Sequence, residues 1–161
     1  MKKYPILFLS VFLWKCTAPE NTVTILDPVT AGQENGVRTG LDVLLEDYPD
    51  YLKGKTIGLV TNHTGISKKG EKNYKLFENN PDLTLKRIFA PEHGFYGEAS
   101  AGAKVEYDNQ KDSGPEIVSL YGKTRKPTAE MLDGIDLVIY DIQDVGARFY
   151  TYISTLGIVM E

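Results

Sequence analysis

The 161-residue chain has one cysteine, two histidines and no apolar run long enough to cross a bilayer. Cys16 has no second thiol to pair with, so no internal disulfide forms and the fold is held by packing alone. Positive charge is also in short supply: 18 Lys and Arg stand against 22 Asp and Glu, a net charge of −4, which argues against a general nucleic-acid footprint. Neither G-x-G-x-x-G nor G-x-x-x-x-G-K-[ST] follows a strand, so dinucleotide and P-loop readings have no support. Internal repeats are absent. What is present, 42% hydrophobic and 25% charged residues, is an ordinary globular composition with enough chain for one core of standard size.

The N-terminus reads separately. Lys2 and Lys3 precede the apolar run Ile6 to Trp14, and Cys16 follows at once, the order of a secretory signal of lipoprotein type. Trp14 and Lys15 stand where such a signal usually has small residues, so an ordinary signal peptide with an unmodified cysteine is the alternative. Residues 1–16 are therefore expected to direct export to the periplasm or outer envelope of a bacterium, with membrane contact only through a lipid on Cys16. Loss of residues 1–15 removes three lysines and no acid, so the mature part is more acidic and needs specific local cations to hold an anionic ligand. Residues 17–36, with scattered Pro, Gly and Asn, read as a tether.

From Val37 onward strand and helix patterns alternate. Thr39 can cap a helix carrying Leu41, Leu44, Leu45 and Tyr48 and ending near Pro49. Strands are expected over 55–61, 83–89, 116–120 and 136–142, with helices at 71–79, 127–132 and from Thr151 to the chain end. Strands with near-continuous apolar runs, separated by helices, predict an α/β Rossmann-like three-layer sandwich with a mostly parallel sheet over residues 37–161. The last helix lacks a capping glycine or polar stop at Met160-Glu161, which predicts a fragment of a longer protein.

In such sheets ligands collect at the carboxyl ends of the strands, and these ends carry the chemistry. The first offers Asn62 and His63. The second offers Ala90-Pro91-Glu92-His93-Gly94, where desolvation beside an imidazole and aromatic rings is expected to raise the Glu92 pKa toward that of a general acid. Tyr121 follows the third strand with a basic cluster, Lys123, Arg125 and Lys126; an aromatic ring beside a cation can stack on a sugar and bind a carboxylate, while Lys123 and Lys126 read as a solvated face before the next helix. The fourth ends in Asp141, Gln143, Asp144, Arg148 and Tyr150. If that strand persists to Ile142, Asp141 and Gln143 share a face, one Asp caps the next helix, and Arg148 either pairs with a carboxylate in the interior or holds a ligand. Residues 108–114 lack the alternating ligands of a calcium loop and read as plain loop.

Together, 58–65 (GLVTNHTG), 89–94 (FAPEHG), 119–122 (SLYG) with 126–128 (KPT), and 141–152 (DIQDVGARFYTY) resemble the NamZ-type exo-β-N-acetylmuramidases. The resemblance implies a two-domain enzyme, of which this chain holds the N-terminal catalytic part. It further implies hydrolysis of the β-glycosidic bond of a terminal, non-reducing N-acetylmuramic acid in peptidoglycan fragments, with muramyl saccharides as partners and neither cofactor nor metal. By motif, Glu92 is the candidate general acid and Asp141 or Asp144 the second catalytic group. Asn62, His93, Tyr121, Gln143, Arg148 and Tyr150 are candidates to hold the sugar, Arg148 through the lactyl carboxylate. A retaining, inverting or substrate-assisted mechanism is compatible with these residues. Two further readings stand beside this one: a metal-dependent hydrolase using His63 or His93 with Asp141 and Asp144, and a non-catalytic peptidoglycan-binding lipoprotein.

Overall fold

The computed structural model describes residues 37–107 and 114–161. The expected signal peptide with Cys16, the tether and residues 108–113 lie outside the described residues.

Four strands, β1 (Thr56–Thr61), β2 (Thr84–Ala90), β3 (Glu116–Ser119) and β4 (Leu137–Asp141), form one sheet in the order β3-β2-β1-β4. Every neighbouring pair is parallel. The register shifts between Ile57 and Gly58, so that Lys86 has no partner on β1, a bulge that lets Leu85 and Ile88 face the same side. Among the described residues four α-helices connect and flank the strands: α1 (Gly40–Asp47), α2 (Asn73–Glu78), α3 (Ala129–Leu132) and α4 (Tyr152–Met160), with a short 3-10 turn at Pro49–Tyr51.

Period-two alternation along the strands divides the core into two layers. Ile57 and Leu59 of β1 pack with Leu137 and Ile139 of β4 against Leu41, Leu44 and Leu45 of α1 and Phe77 of α2. On the opposite face Val60, Phe89, Val138 and Tyr140 meet Met131 and Leu132 of α3 and Val159 of α4. The expected three-layer α/β sandwich is the observed one. Gly58 leaves room on that second face for the Phe89 ring, which a Cβ there would meet at 3.0 Å. Phe77, Phe89, Leu59 and Ile57 are fully buried, and each stabilises the fold by about 1.5–3 kcal/mol relative to an exposed side chain.

The Thr39 capping box on α1 is present. Its hydroxyl accepts from the Asp42 backbone N–H at 3.2 Å, and Asp42 Oδ2 accepts from the Thr39 backbone at 2.7 Å. Asp42 also receives the Lys68 backbone N–H, fixing the loop after β1 against α1. These donors hold its carboxyl below the usual range against the upward push of burial.

Two expectations at the end of β4 are corrected. The strand stops at Asp141 rather than Ile142, so Asp141 and Gln143 do not share a strand face. No aspartate caps α4: its N-cap is Thr151, without a side-chain cap, and Asp144 instead accepts the Gly146 N–H at 2.6 Å in a local turn.

Candidate active site

The chain reverses its winding direction at β1, which has β2 on one side and β4 on the other, so the carboxyl ends of these strands frame the switch-point crevice. Glu92 stands at that end, one residue after Pro91, which follows β2. Pro91, Glu92, His93 and Gly94 form a tight turn closed by Gly94 N–H to Pro91 C=O at 3.0 Å. His93 occupies the third position with φ +69°, a left-handed conformation costly for a residue with a Cβ. The turn holds Glu92 inward at 8% exposure.

Two donors close on that carboxylate: Gly102 N–H reaches Oε1 at 3.0 Å and the Thr151 hydroxyl reaches Oε2 at 2.6 Å. The Tyr121 hydroxyl faces the same carboxylate and favours its charged form, without a hydrogen bond of full geometry. Burial pushes the Glu92 pKa up, but these interactions and the neighbouring His93 outweigh it, and the net displacement is downward. The expectation of a raised pKa is thus overturned: hydrogen bonding to the charged form wins over desolvation. Tyr121 responds oppositely, its hydroxyl raised by its approach to Glu92, by burial and by the Glu92 charge.

His93 sits with Nδ1 2.9 Å from the Ala99 carbonyl oxygen. That contact makes Nδ1 the protonated nitrogen and leaves Nε2 as the acceptor in the neutral ring. Rings then follow in sequence: His93 to Tyr150 at 6.3 Å and Tyr150 to Tyr152 at 5.6 Å between centroids. His63 packs on Gly97, where a Cβ would fall 2.0 Å from its Nδ1.

Asn62 is 2% exposed. Its Oδ1 accepts from both the backbone N–H and the hydroxyl of Thr64, at 2.9 and 2.6 Å, which fixes the amide orientation. The Nδ2 group faces the Tyr152 hydroxyl and opposes the upward pull of burial on that phenol, yet it has no hydrogen bond of full geometry. The Tyr152 hydroxyl also feels the charges of Glu92 and Asp144.

The two aspartates therefore separate. Asp141 Oδ2 accepts from Asn73 Nδ2 at 2.7 Å, and the same amide donates to Thr61 Oγ1 at 2.8 Å. Burial raises the Asp141 pKa, Asn73 lowers it, and the charge of Asp42 adds to the rise. Asp144 is exposed and shares Tyr152 with Glu92. Gln143 is exposed and placed by its backbone N–H on the Thr64 hydroxyl. Arg148 is exposed and makes no ion pair among the described residues, so the interior pairing is not formed.

Among the described residues no three of His, Cys, Asp and Glu come together as a metal-binding group. The set expected for a metal-dependent hydrolase is not assembled there. Cavities of about 270 and 600 Å³ lie elsewhere, beside Tyr74 and Phe95 and along the outer side of β3.

Thr151, Tyr152 and Gly102 were not among the expected site residues. Thr151 reads in sequence as the start of the last helix, and only the long-range fold turns its hydroxyl onto Glu92. Tyr152 stood inside the quoted motif, where its ring reads equally well as core. Gly102 contributes through its backbone, which carries no side-chain signal.

The sheet order, the helices on both faces and the donor-clad carboxylate at the strand ends define a Rossmann-like α/β domain with a polar switch-point site. A family model described as exo-β-N-acetylmuramidase NamZ, N-terminal, matches residues 57–161, and the chain belongs to that family. It is 49% identical over 125 residues to the peptidoglycan β-N-acetylmuramidase NamZ of Bacillus subtilis (strain 168), covering 78% of this chain and 30% of that protein. Two crystal structures of DUF1343 family proteins from Bacteroides fragilis NCTC 9343 are similar. One has a TM-score of 0.66 at 42% identity over 76% of this chain and 30% of that one; the other has 0.55 at 33% identity over 74% and 29%. The chain spans under a third of the length of these relatives.

Proposed function

We propose that residues 37–161 form the N-terminal catalytic part of an exported exo-β-N-acetylmuramidase that releases terminal, non-reducing N-acetylmuramic acid from peptidoglycan fragments, with residues 1–16 as its signal and Cys16 as the site of lipid attachment. The observation that carries the reading is the buried Glu92 carboxylate, held by Thr151 and Gly102 and faced by Tyr121 inside the motifs that carry the resemblance.

Glu92 is the general acid. With Gly102 and Thr151 donating and Tyr121 facing it, Glu92 favours the ionised form, so protonation requires that bound sugar weaken one of these interactions. A sugar hydroxyl or acetamido oxygen that accepts from Thr151 or Tyr121 draws that hydroxyl from Glu92 and also excludes water, and both changes raise the Glu92 pKa. The His93, Tyr150 and Tyr152 rings supply a face for the sugar. Asp144, exposed and acting by its charge on the same Tyr152 hydroxyl as Glu92, is better placed as the second carboxylate than Asp141, which is partly buried and accepts from Asn73.

The test is release of N-acetylmuramic acid from a chromogenic β-muramide by the full-length protein. Glu92→Gln is expected to lower kcat by at least about a hundredfold while the thermal unfolding midpoint is kept. Undiminished turnover in that variant removes Glu92 from the role. Tight binding of muramyl ligands without any product from the wild-type protein would instead establish a non-catalytic binding protein.

A further inference from the structure

We propose that Arg125 takes the lactyl carboxylate of the sugar, and so distinguishes N-acetylmuramic acid from the uncharged N-acetylglucosamine. The inference rests on the muramidase reading and deepens it.

The chain carries a net charge of −4, so an anionic sugar is drawn in only by a local cation whose own charge is not already answered. Three cations follow β3. Lys123 lies 3.9 Å from Glu106 and Lys126 lies 3.6 Å from Glu161. Arg125 has no carboxylate partner among the described residues. Its guanidinium carbon stands 5.3 Å from the centroid of the Tyr121 ring.

That contact is made over the ring face, and the guanidinium N–H groups make no recorded hydrogen bond among the described residues, which leaves them to pair bidentately with a carboxylate. The hydroxyl of the same tyrosine faces Glu92, whose charge raises its pKa. One aromatic ring therefore links the candidate acid to an open guanidinium, a separation on the scale of a single sugar. The scissile bond can lie at Glu92 while a substituent on another ring carbon reaches Arg125. Arg148, also exposed, has no contact with Glu92 or Tyr121 among those the structure records, so nothing orients it toward the reacting bond.

The experiment compares two chromogenic substrates in the full-length protein: the β-muramide and its lactyl methylamide, which differ only at the lactyl carboxyl, anionic in one and neutral in the other. Arg125→Ala is expected to lower kcat/KM for the acid about tenfold to a hundredfold, mostly through KM, and to leave the methylamide within about twofold of wild type. Arg125→Lys keeps the charge but not the planar fork, and falls between the two. An equal loss on both substrates overturns the proposal, because Arg125 would then act by supporting Tyr121. A selective loss in Arg148→Ala that is missing from Arg125→Ala overturns it as well. A wild-type protein that cleaves neither substrate overturns the muramidase reading, and the role of Arg125 with it.

Discussion

The Thr151 hydroxyl donates to Glu92 Oε2 at 2.6 Å across 59 positions of sequence, tying the first residue of the α4 turn to the loop after β2. Removing this donor lifts one of the constraints that lower the Glu92 pKa, so the pKa rises in Thr151→Val. A general acid works protonated, and activity is lost as pH rises through its pKa. The alkaline limb of kcat/KM against pH is therefore expected to move to higher pH, with the maximum about tenfold lower because a charge-assisted hydrogen bond is gone. An unmoved limb would show that another group sets it.

Asp141 gives a second pH signature, read in stability. Its folded pKa lies above the ordinary value, chiefly through burial, so the native state binds the proton more tightly than the unfolded one. Its contribution to stability is fully present below the unfolded pKa and declines as pH rises through the folded pKa. Asp141→Asn removes that decline while leaving a side-chain oxygen to accept from Asn73. The variant is expected to melt higher than wild type at pH 7 and to lose the advantage as the pH is lowered below the ordinary aspartate range. Thermal scans across that range decide it.

The architecture was legible because β1 and β4 carry near-continuous apolar runs, Ile57 to Val60 and Leu137 to Tyr140, the pattern of strands covered on both faces. The N-cap of α1 was legible from Thr39 because a cap acts within its own turn, whereas the reciprocal bond to Asp42 came from the structure. What local pattern does not carry is the direction of a side chain beyond its own element. Asp141 and Asp144 look equivalent three positions apart, but ending β4 at Asp141 sends one carboxylate beneath Asn73 and the other into a turn on Gly146. Burial at Glu92 was anticipated, whereas the groups that reverse its effect come from Gly102, Tyr121 and Thr151, in three separate loops. Asn62 was recognised as polar and well placed, but the fixed amide with Nδ2 facing Tyr152 depends on Thr64 and α4 together.

Phe77 joins α2 to the sheet. Its ring is fully buried among Leu41, Leu52, Ile57 and Leu59, and with no disulfide available the layer depends on such contacts. Phe77→Ala is expected to cost about 3–5 kcal/mol, measured by denaturant unfolding. A cost under about 1 kcal/mol would mean that the site collapses to fill the space.

Gly65 connects the loop after β1 to the network beneath the site. A Cβ at this position would fall 2.0 Å from Asn73 Nδ2 and 2.5 Å from Thr61 Oγ1, the amide and hydroxyl that hold Asp141 and the end of β4. Both residues are fully buried and cannot swing into solvent. Gly65→Ala is therefore expected to destabilise by about 1–3 kcal/mol through overpacking. The mechanism predicts a specific coupling. Asn73→Ala removes the nearest obstructing atoms, so Gly65→Ala should cost measurably less in that background, with a coupling of at least about 0.5 kcal/mol in a double-mutant cycle. Strict additivity would place the cost in the backbone of the loop rather than in the approach of Asn73, and would separate Gly65 from the support of Asp141.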